Sequence, residues 1–201
     1  MLFMGNIRRR GAELESAIYE VVRKIVDKEG VEGLTFQKVA ELAGTSKSVI
    51  YRRWETPLEL AISAFQARIK LENNGSVDKL VLTGKNLQDD LFQLMDRFLI
   101  SIDALGEPFL RSVLVEIGTQ PNATVLQLME RNSEIDLRAI NRILDRARAR
   151  GEQVKADISN DVKLLPFEWL RYKMFLRKNI STDMIETLIN EILLPVYLES
   201  Q

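Results

Sequence analysis

The sequence predicts an all-α protein, and three observations lead to this prediction. Apolar residues recur at intervals of three and four along the long segments, which is the spacing of one face of a helix. Glycine, proline and capping residues separate those segments, and no segment alternates as a strand would. The hydrophobic content of 46% over 201 residues is high enough for a sizeable core.

Composition excludes several classes of function. The chain contains no cysteine and no histidine, which rules out disulfides, Cys/His zinc sites and catalysis by a thiol or an imidazole. Gly84-Lys85 lacks the upstream glycine of a phosphate-binding loop, and the adjacent Asp89 and Asp90 point apart on a helix. We therefore expect no catalytic residue, no metal site and no cofactor. Because no signal peptide and no bilayer-spanning apolar run is recognisable, we also expect a cytoplasmic protein.

The first predicted helix extends from Ala12 to Glu29 and ends at Gly30. Residues 1–11 form a basic arm before it. In this arm Arg8-Arg9-Arg10 either contacts phosphates or the minor groove, or belongs to a disordered terminus. The helix is amphipathic, and its buried stripe is predicted to consist of aliphatic side chains: Leu14, Ile18, Val21, Val22 and Ile25.

Two short helices joined by a tight turn are predicted between Thr35 and Trp54. Thr35 is a suitable N-cap for the first, and Gly44 supplies the left-handed conformation that ends it. Thr45 or Ser46 caps the second. Apolar residues at helical spacing mark the side of both helices that is expected to be buried: Val39, Leu42, Ala43, Val49, Ile50 and Trp54.

The second of these helices carries basic side chains and no acidic one. Lys47 and Ser48 lie near its N-terminus, where side chains can reach base edges, and Tyr51 and Arg52 are better placed for phosphates. Such a unit is a helix-turn-helix, whose second helix enters a major groove. The alternative is an ordinary helical hairpin with a solvated basic face. The net charge of −1 does not oppose DNA binding, because the basic residues are clustered locally.

The stretch GVEGLTFQKVAELAGTSKSVIYRRWETPLEL, which runs from residue 30 to 60, resembles the DNA-binding domain of the TetR family of transcriptional regulators. The matching features are Leu34-Thr35, Val39-Ala40, Ala43-Gly44, Ser46 and Tyr51-Arg52-Arg53-Trp54. The sequence departs from the family at Thr56-Pro57-Leu58, where the family usually has a lysine just after the turn.

The resemblance implies roles for individual residues. Thr35 and Tyr51 are expected to contact the DNA backbone, and residues 45–48 are expected to read the sequence. Arg53 is either a phosphate contact or a solvated charge, whereas Trp54 is expected to be core. The predicted DNA-binding residues are Thr35, Thr45, Ser46, Lys47, Ser48, Tyr51, Arg52 and Arg53.

A fourth helix is predicted to begin at Pro57 and to end near Asn73. Thr56 caps it and Glu59 is the expected partner in a capping box. We place the domain boundary here, with residues 1–56 as the helix-turn-helix domain and residues 57–201 as a helical regulatory and dimerisation domain. Further helices are predicted over residues 87–105, 108–118, 123–150, 161–177 and 182–199. Pro166 is expected to make the fourth of these start late or kink.

Arg146 to Asp157, with the sequence RARARGEQVKAD, and Asp78 to Leu91 resemble the C-terminal ligand-binding domain of one branch of the TetR family. The resemblance implies a regulatory domain that binds a small-molecule effector. Aromatic, Met and Leu side chains of the middle helices either line a ligand pocket or form ordinary core: Phe92, Met95, Phe98, Leu99, Leu110, Leu114, Phe167, Trp169, Tyr172 and Phe175.

The last two predicted helices each have a broad apolar face. These faces are either intramolecular core or, as the resemblance implies, a four-helix interface between two copies of the chain. A two-fold dimer would present its recognition helices about 34 Å apart, as two half-sites require. The residues predicted for the dimer interface are Leu164, Phe167, Leu170, Met174, Ile185, Leu188, Ile189, Ile192 and Val196.

Together these observations predict a regulator whose partners are double-stranded DNA with a palindromic operator, a second copy of itself and a small-molecule effector. The resemblance implies that it acts as a repressor, and activation is the alternative. Effector binding would tilt the helix over residues 57–73 and move the recognition helices off their spacing. The alternative is a helical ligand-binding or interaction protein without DNA-binding activity, which Pro57 in place of the usual lysine favours.

Overall fold

A computed structural model describes residues 11–73, 75–119, 123–176 and 180–199, without the side chains of residues 116, 117, 119 and 175. The basic arm around Arg8-Arg9-Arg10 lies outside the described residues. Within them all regular secondary structure is helical, apart from one isolated bridge between Val154 and Leu198. The predicted all-α fold is thus confirmed. The helices are α1 (Ala12–Glu29), α2 (Phe36–Ala43), α3 (Lys47–Tyr51), α4 (Pro57–Glu72), α5 (Leu87–Leu105), α6 (Glu107–Thr119), α7 (Ala123–Ala149), α8 (Asn160–Phe175), α9 (Thr182–Thr187) and α10 (Leu194–Tyr197).

The chain forms two compact units, which divide within α4 and α6. The first unit contains the residues up to Arg68 together with Gly106–Ser112, and the second contains Ile69–Leu105 and everything from Val113 onwards. The division that was predicted on functional grounds, between residues 56 and 57, remains a prediction.

In the first unit, α1 packs on the helix-turn-helix. Its buried residues are Ile18, Val22, Ile25 and Val26. Leu14 and Val21 were predicted to be buried but are only half-buried. The buried stripe is centred on Ile18, Val22, Ile25 and Val26, and Leu14 and Val21 lie at its edge. Gly30 ends the helix with a φ of 72°, a left-handed conformation that glycine adopts without strain.

The helix-turn-helix has the caps that were predicted. The Thr35 hydroxyl accepts a hydrogen bond of 3.2 Å from the Lys38 N–H, and Gly44 adopts the left-handed conformation at φ 66°. Leu42 was predicted to face the core but is 62% exposed. The buried face of α2 consists instead of Phe36, Val39, Ala40 and Ala43, and Leu42 lies off that stripe.

Residues 106–112 contact the rest of the first unit through Phe109 and Ser112. The ring of Phe109 stacks on that of Phe65 with centroids 4.3 Å apart. The hydroxyl of Ser112 accepts a 3.2 Å hydrogen bond from the N–H of Val31. The start of α6 therefore belongs to the unit that carries the helix-turn-helix.

The start of α4 shows a shifted capping box. Thr56 accepts a 3.1 Å hydrogen bond from the N–H of Glu59, as predicted. The Glu59 carboxylate reaches the N–H of Glu55 at 2.7 Å, one residue before the cap, so that the box also orders the turn that precedes α4.

The core of the second unit is built from α5, α7, α8 and the C-terminal helical segment. Its largest fully buried side chains include Leu91, Met95, Ile140 and Phe167. The bounds of α5 are those predicted, and α7 ends one residue early. Both helices supply apolar residues at helical spacing to this cluster.

Two predictions concern helices that contain proline. Helix α8 starts at Asn160, capped by Ser159, so that it does not start late and Pro166 lies inside it. The other possibility, a kink at Pro166, remains a prediction, whereas the prediction of a single α-helix over residues 182–199 was wrong. Residues 182–199 do not form one α-helix, because residues 188–193 adopt a π-helix between α9 and α10. Pro195 lies two residues after this π-helix and has no N–H to donate to the carbonyl of Glu191, four residues back within it, which is a reason for the change of pitch.

Candidate nucleic-acid interface

Helix α3 exposes its polar side and buries its apolar side. Lys47, Ser48, Tyr51 and Arg52 are exposed, whereas Ile50 is fully buried. No acidic residue lies on this helix. The exposed face therefore offers cations and hydroxyl groups to a partner, as contact with nucleic acid requires.

Trp54 anchors the end of α3 and is core, as predicted. It is 5% exposed, its indole N–H donates to the hydroxyl of Ser63 at 3.2 Å, and its ring meets that of Tyr19 edge-on at 5.9 Å. A five-residue helix is unstable by itself, so these contacts to α1 and α4 are what hold α3 in position.

The ring of Tyr51 packs against one neighbouring side chain, while most of the residue stays exposed to solvent. The ring meets Phe36 edge-on with centroids 4.7 Å apart, while the residue as a whole remains 61% exposed. Since Phe36 restrains the ring, the hydroxyl is held in place for a hydrogen bond to a phosphate at little entropic cost.

The Arg53 side chain makes contacts within the protein. Its guanidinium lies 2.9 Å from the Glu15 carboxylate and over the ring of Trp54. Burial, together with the Glu15 carboxylate, raises the pKa of the neighbouring Tyr19 to about 12. The sequence left open a phosphate contact or a solvated charge for Arg53, and the ion pair with Glu15 of α1 was not foreseen. A phosphate contact by Arg53 remains a prediction.

A relay of side chains that the sequence analysis did not identify joins α2 to α3. The Lys47 ammonium donates to the Gln37 side-chain oxygen at 2.9 Å. The Gln37 amide in turn donates to the Glu41 carboxylate at 3.0 Å. Gln37 and Glu41 are four residues apart on one helix face. This spacing in the sequence could have predicted their contact with each other, but not the contact with Lys47.

The remaining predicted contacts lie around the turn. Thr45 is half-buried and Ser46 is exposed, and the Ser46 hydroxyl lies 2.9 Å from that of Ser48. Ser46 occupies the N-cap position without a side-chain cap bond. Thr35 uses its oxygen as an acceptor for the α2 cap, so that its proton is available to a phosphate oxygen.

The structure places the residues that were predicted to line a ligand pocket in different surroundings. Met95, Phe98 and Phe167 are buried core, and the rings of the last two meet at 5.1 Å. Tyr172 is 58% exposed. The side chain of Phe175 lies outside the described residues. The remaining candidates are half-buried in one unit or the other: Phe92, Leu99, Leu110, Leu114 and Trp169.

The predicted dimer interface is largely core of a single chain. The residues that are buried within one chain, and so have no surface for a second copy, are Phe167, Leu170, Ile185, Leu188 and Ile189. Leu164, Met174, Ile192 and Val196 keep accessible surface. The buried residues were assigned wrongly to the interface because these helices pack one apolar face against α5 and α7. Sequence periodicity shows that a face is apolar, but it cannot show whether the same chain or a second chain covers it.

Comparisons with known proteins agree with this fold. No protein-family model matches the chain. An uncharacterized HTH-type transcriptional regulator of Mycobacterium bovis is 29% identical over 184 residues, which are 90% of this chain and 86% of that relative. A regulator of the same description from Mycobacterium tuberculosis has the same identity and coverage.

Solved structures give the architecture. A protein from Rhodococcus sp. described as a TetR-family regulator has a TM-score of 0.66 at 15% identity, over 92% of this chain and 100% of that chain. The flavonoid-responsive regulator FrrA has a TM-score of 0.65 at 17% identity, over 95% and 100%. A TetR-family protein from Vibrio parahaemolyticus has a TM-score of 0.58 at 18% identity, over 92% and 98%. The predicted resemblance to the TetR family is confirmed at the level of the fold. Among the described helices none is both long and apolar enough to cross a bilayer.

Proposed function

We propose that this protein, whose chain has the fold of TetR-family regulators, is a transcriptional regulator that binds a palindromic DNA operator as a homodimer. The observation that carries the proposal is the arrangement of α3. One face of this helix exposes Lys47, Ser48, Tyr51 and Arg52 without an acidic neighbour on the helix, while its other face is fixed in the core. The description of the mycobacterial relatives as HTH-type regulators supports the same function.

The exposed groups of the helix-turn-helix divide by chemistry. Lys47 and Ser48 stand in the first turn of α3, from which side chains reach base edges in the major groove, and a lysine suits the acceptors of guanine. Thr35, Tyr51 and Arg52 are assigned to phosphates, which position the protein without reading sequence. Within the described residues neither Lys47 nor Arg52 forms an ion pair with a carboxylate, and the Lys47 ammonium is bonded to a neutral amide oxygen, so both cations are available to DNA.

The second copy of the chain is proposed to pack on the exposed face of α8. Leu165 and Tyr172 are exposed and lie seven residues apart, on one side of the helix, and Leu176, the C-cap that follows the helix, is exposed as well. Ile192 of the π-helix is also exposed. This face replaces the buried residues that the sequence analysis assigned to the interface. A two-fold interface uses the same patch on both copies.

Regulation is proposed to act through α4, which contributes residues to both compact units. An effector that binds one state of the second unit better than another shifts the population of states. If the favoured state holds the recognition helices away from the spacing of the half-sites, affinity for the operator falls and repression ends.

Selection of binding sites from a random duplex library with the purified full chain tests the proposal. We expect enrichment of a palindrome whose half-sites are about 10 base pairs apart centre to centre, or a multiple of that distance. Affinity for the selected duplex should fall steeply as salt is raised, because counterions are released when phosphates are bound.

The alternative, a helical ligand-binding or interaction protein, predicts a different result. A chain in which Pro57 has replaced a needed phosphate contact would enrich no sequence and would show no steep salt dependence. A replacement of Pro57 by Lys that increases affinity for all duplexes equally would show that this position modulates DNA binding rather than abolishing it.

A further inference from the structure

A groove of about 380 Å³ lies on the second unit, away from the residues that were predicted to bind a ligand. It is formed by the segment that follows α4 and by α7. Its lining residues are Lys79, Leu80, Val81, Leu82, Arg142 and Arg146. No acidic side chain is among them.

The arginines of α7 hold one wall of this groove. Arg142 donates to the carbonyls of Asp78 and Leu80 at 2.5 and 2.8 Å. Arg146 donates to the carbonyl of Gly84 at 2.9 Å. Because residues 80–86 form neither helix nor strand, their carbonyls need partners from outside, and the guanidinium groups supply them.

The positive charge of the groove is only partly neutralised. Arg146 is paired with the buried carboxylate of Asp90 at 3.0 Å, but Asp90 also pairs with Arg150 at 2.8 Å. The partners of Arg142 are neutral carbonyls. Among the described residues no carboxylate lies within 4 Å of Lys79 or Arg142, so two full positive charges remain beside the groove.

An aliphatic surface lies next to these charges. Leu80, Val81 and Leu82 line the groove, and Val81 is 76% exposed. An amphiphilic anion would suit this combination of an exposed valine and unpaired cations. Its apolar part would bury the valine surface, and its charged part would pair with the cations.

We propose that this groove binds a small organic anion that combines a carboxylate with a short aliphatic chain. The carboxylate lies on Arg142 and Lys79, and the aliphatic chain lies along Val81. Arg142 has five N–H groups and uses two of them for the protein carbonyls, which leaves donors for a ligand.

Such a ligand would also affect the segment between α4 and α5. Its carboxylate binds the same guanidinium that holds the Asp78 and Leu80 carbonyls, and these two residues follow α4 along the chain. This regulatory consequence rests on the proposed function of the protein, whereas the binding itself does not.

Isothermal titration calorimetry with the full chain and octanoate tests the site. We expect one octanoate per chain, bound at least about tenfold more tightly than octan-1-ol, which lacks the charge, or inorganic phosphate, which lacks the chain. Arg142→Ala should weaken binding of octanoate about tenfold, since a charge-assisted hydrogen bond is lost. Arg131→Ala, which removes an exposed arginine elsewhere on α7, should leave it unchanged.

Val81→Asp is a second variant that does not touch the arginine contacts. Val81 is highly exposed, so the variant should fold, and its carboxylate should repel octanoate and weaken binding about tenfold. The proposal is overturned if the wild-type chain takes up no octanoate at millimolar concentration, or if both variants bind it as the wild type does.

The same titrations separate this inference from the proposed function. If octanoate binds but leaves affinity for the selected duplex unchanged, the site stands and its regulatory consequence is wrong. If the wild-type chain binds no duplex at all, the proposed function fails while the calorimetric result is unaffected.

Discussion

The hydroxyl of Tyr197 donates a hydrogen bond of 3.3 Å to the carbonyl of Val162. Val162 lies four residues before Pro166, which has no N–H with which to continue the helical ladder. Tyr197 therefore supplies, from the last helix of the chain, the donor that α8 lacks. Tyr197 is fully buried, and burial raises the pKa of its hydroxyl, so that it remains a donor at neutral pH.

Tyr197→Phe should destabilise the protein by about 1–3 kcal/mol, because the ring is kept but a partly buried carbonyl loses its partner. This corresponds to a decrease in Tm of roughly 2–10 °C for a chain of this size. Thermal denaturation at one fixed protein concentration measures it. Tyr51→Phe, at an exposed tyrosine outside the proposed dimer interface, is the control and should not change Tm in the absence of DNA. Equal Tm values for the two variants would show that the Val162 carbonyl is satisfied in another way.

Tyr51→Phe should weaken binding to all duplexes about tenfold, because the variant keeps the ring on Phe36 and loses only a hydrogen bond to phosphate. Fluorescence anisotropy with the selected operator and with a scrambled duplex measures the effect. The loss should be equal for both duplexes. Lys28→Ala, which removes an exposed cation of α1, should have less effect. A loss confined to the operator would mean that Tyr51 reads bases.

Lys47→Ala should lower the preference for the operator over a scrambled duplex by about 1–3 kcal/mol, the value of a good base contact. Gln37→Ala should lower the same preference to a smaller degree. The Gln37 side-chain oxygen accepts a 2.9 Å hydrogen bond from the Lys47 ammonium, so that Gln37 affects base contact only by restraining Lys47. The double variant should resemble Lys47→Ala alone. Additive losses would show that Gln37 acts independently of Lys47.

Tyr172→Glu should convert a dimer to monomers, because it places a charge on the exposed apolar face of α8. The variant should fold, since this side chain is not buried. Sedimentation velocity at micromolar concentration measures the state. Leu71→Glu, at an exposed leucine of α4, is the matched control and should remain dimeric. A wild-type chain that is itself monomeric would contradict the proposed use of this face.

The buried pair of Asp136 and Arg171 makes stability depend on pH. Burial raises the pKa of Asp136 to about 6, against the opposing effect of Arg171. Since the folded state holds the proton more tightly than the unfolded state, this carboxyl contributes stability below about pH 4 that is lost as the pH rises to about 6. Asp136→Asn cannot lose a proton, so its Tm relative to wild type should increase between pH 4 and pH 7. A difference that does not change with pH would contradict the raised pKa.

Much of the fold follows from local signals. The bounds of α1 and α5 coincide with those predicted, and Thr35, Gly44 and Thr56 act as caps where they were expected to. Capping depends on residues within one turn of each other, so a single sequence is enough to find it. The candidate DNA-binding face was predicted for the same reason, since it lies within one short segment.

Predictions that depend on distant residues were less successful. Leu42 and the buried half of the proposed dimer interface were assigned from helical periodicity, which indicates that a face is apolar but not what covers it. Likewise, Pro166 by itself predicted a helix that starts late or kinks. The sequence did not show that the hydroxyl of Tyr197 donates to the Val162 carbonyl, which the proline leaves without a helical partner.

The order of helices, the caps that delimit them and the basic composition of α3 were determined by the amino-acid sequence itself, because each depends on neighbours a few positions away. Only the tertiary structure decided that Arg53 pairs with α1, that Gln37 holds Lys47, and that the segment after α4 is held by arginines of α7. Those contacts join residues that are far apart in sequence, and their geometry is set by packing of the whole unit rather than by any local propensity.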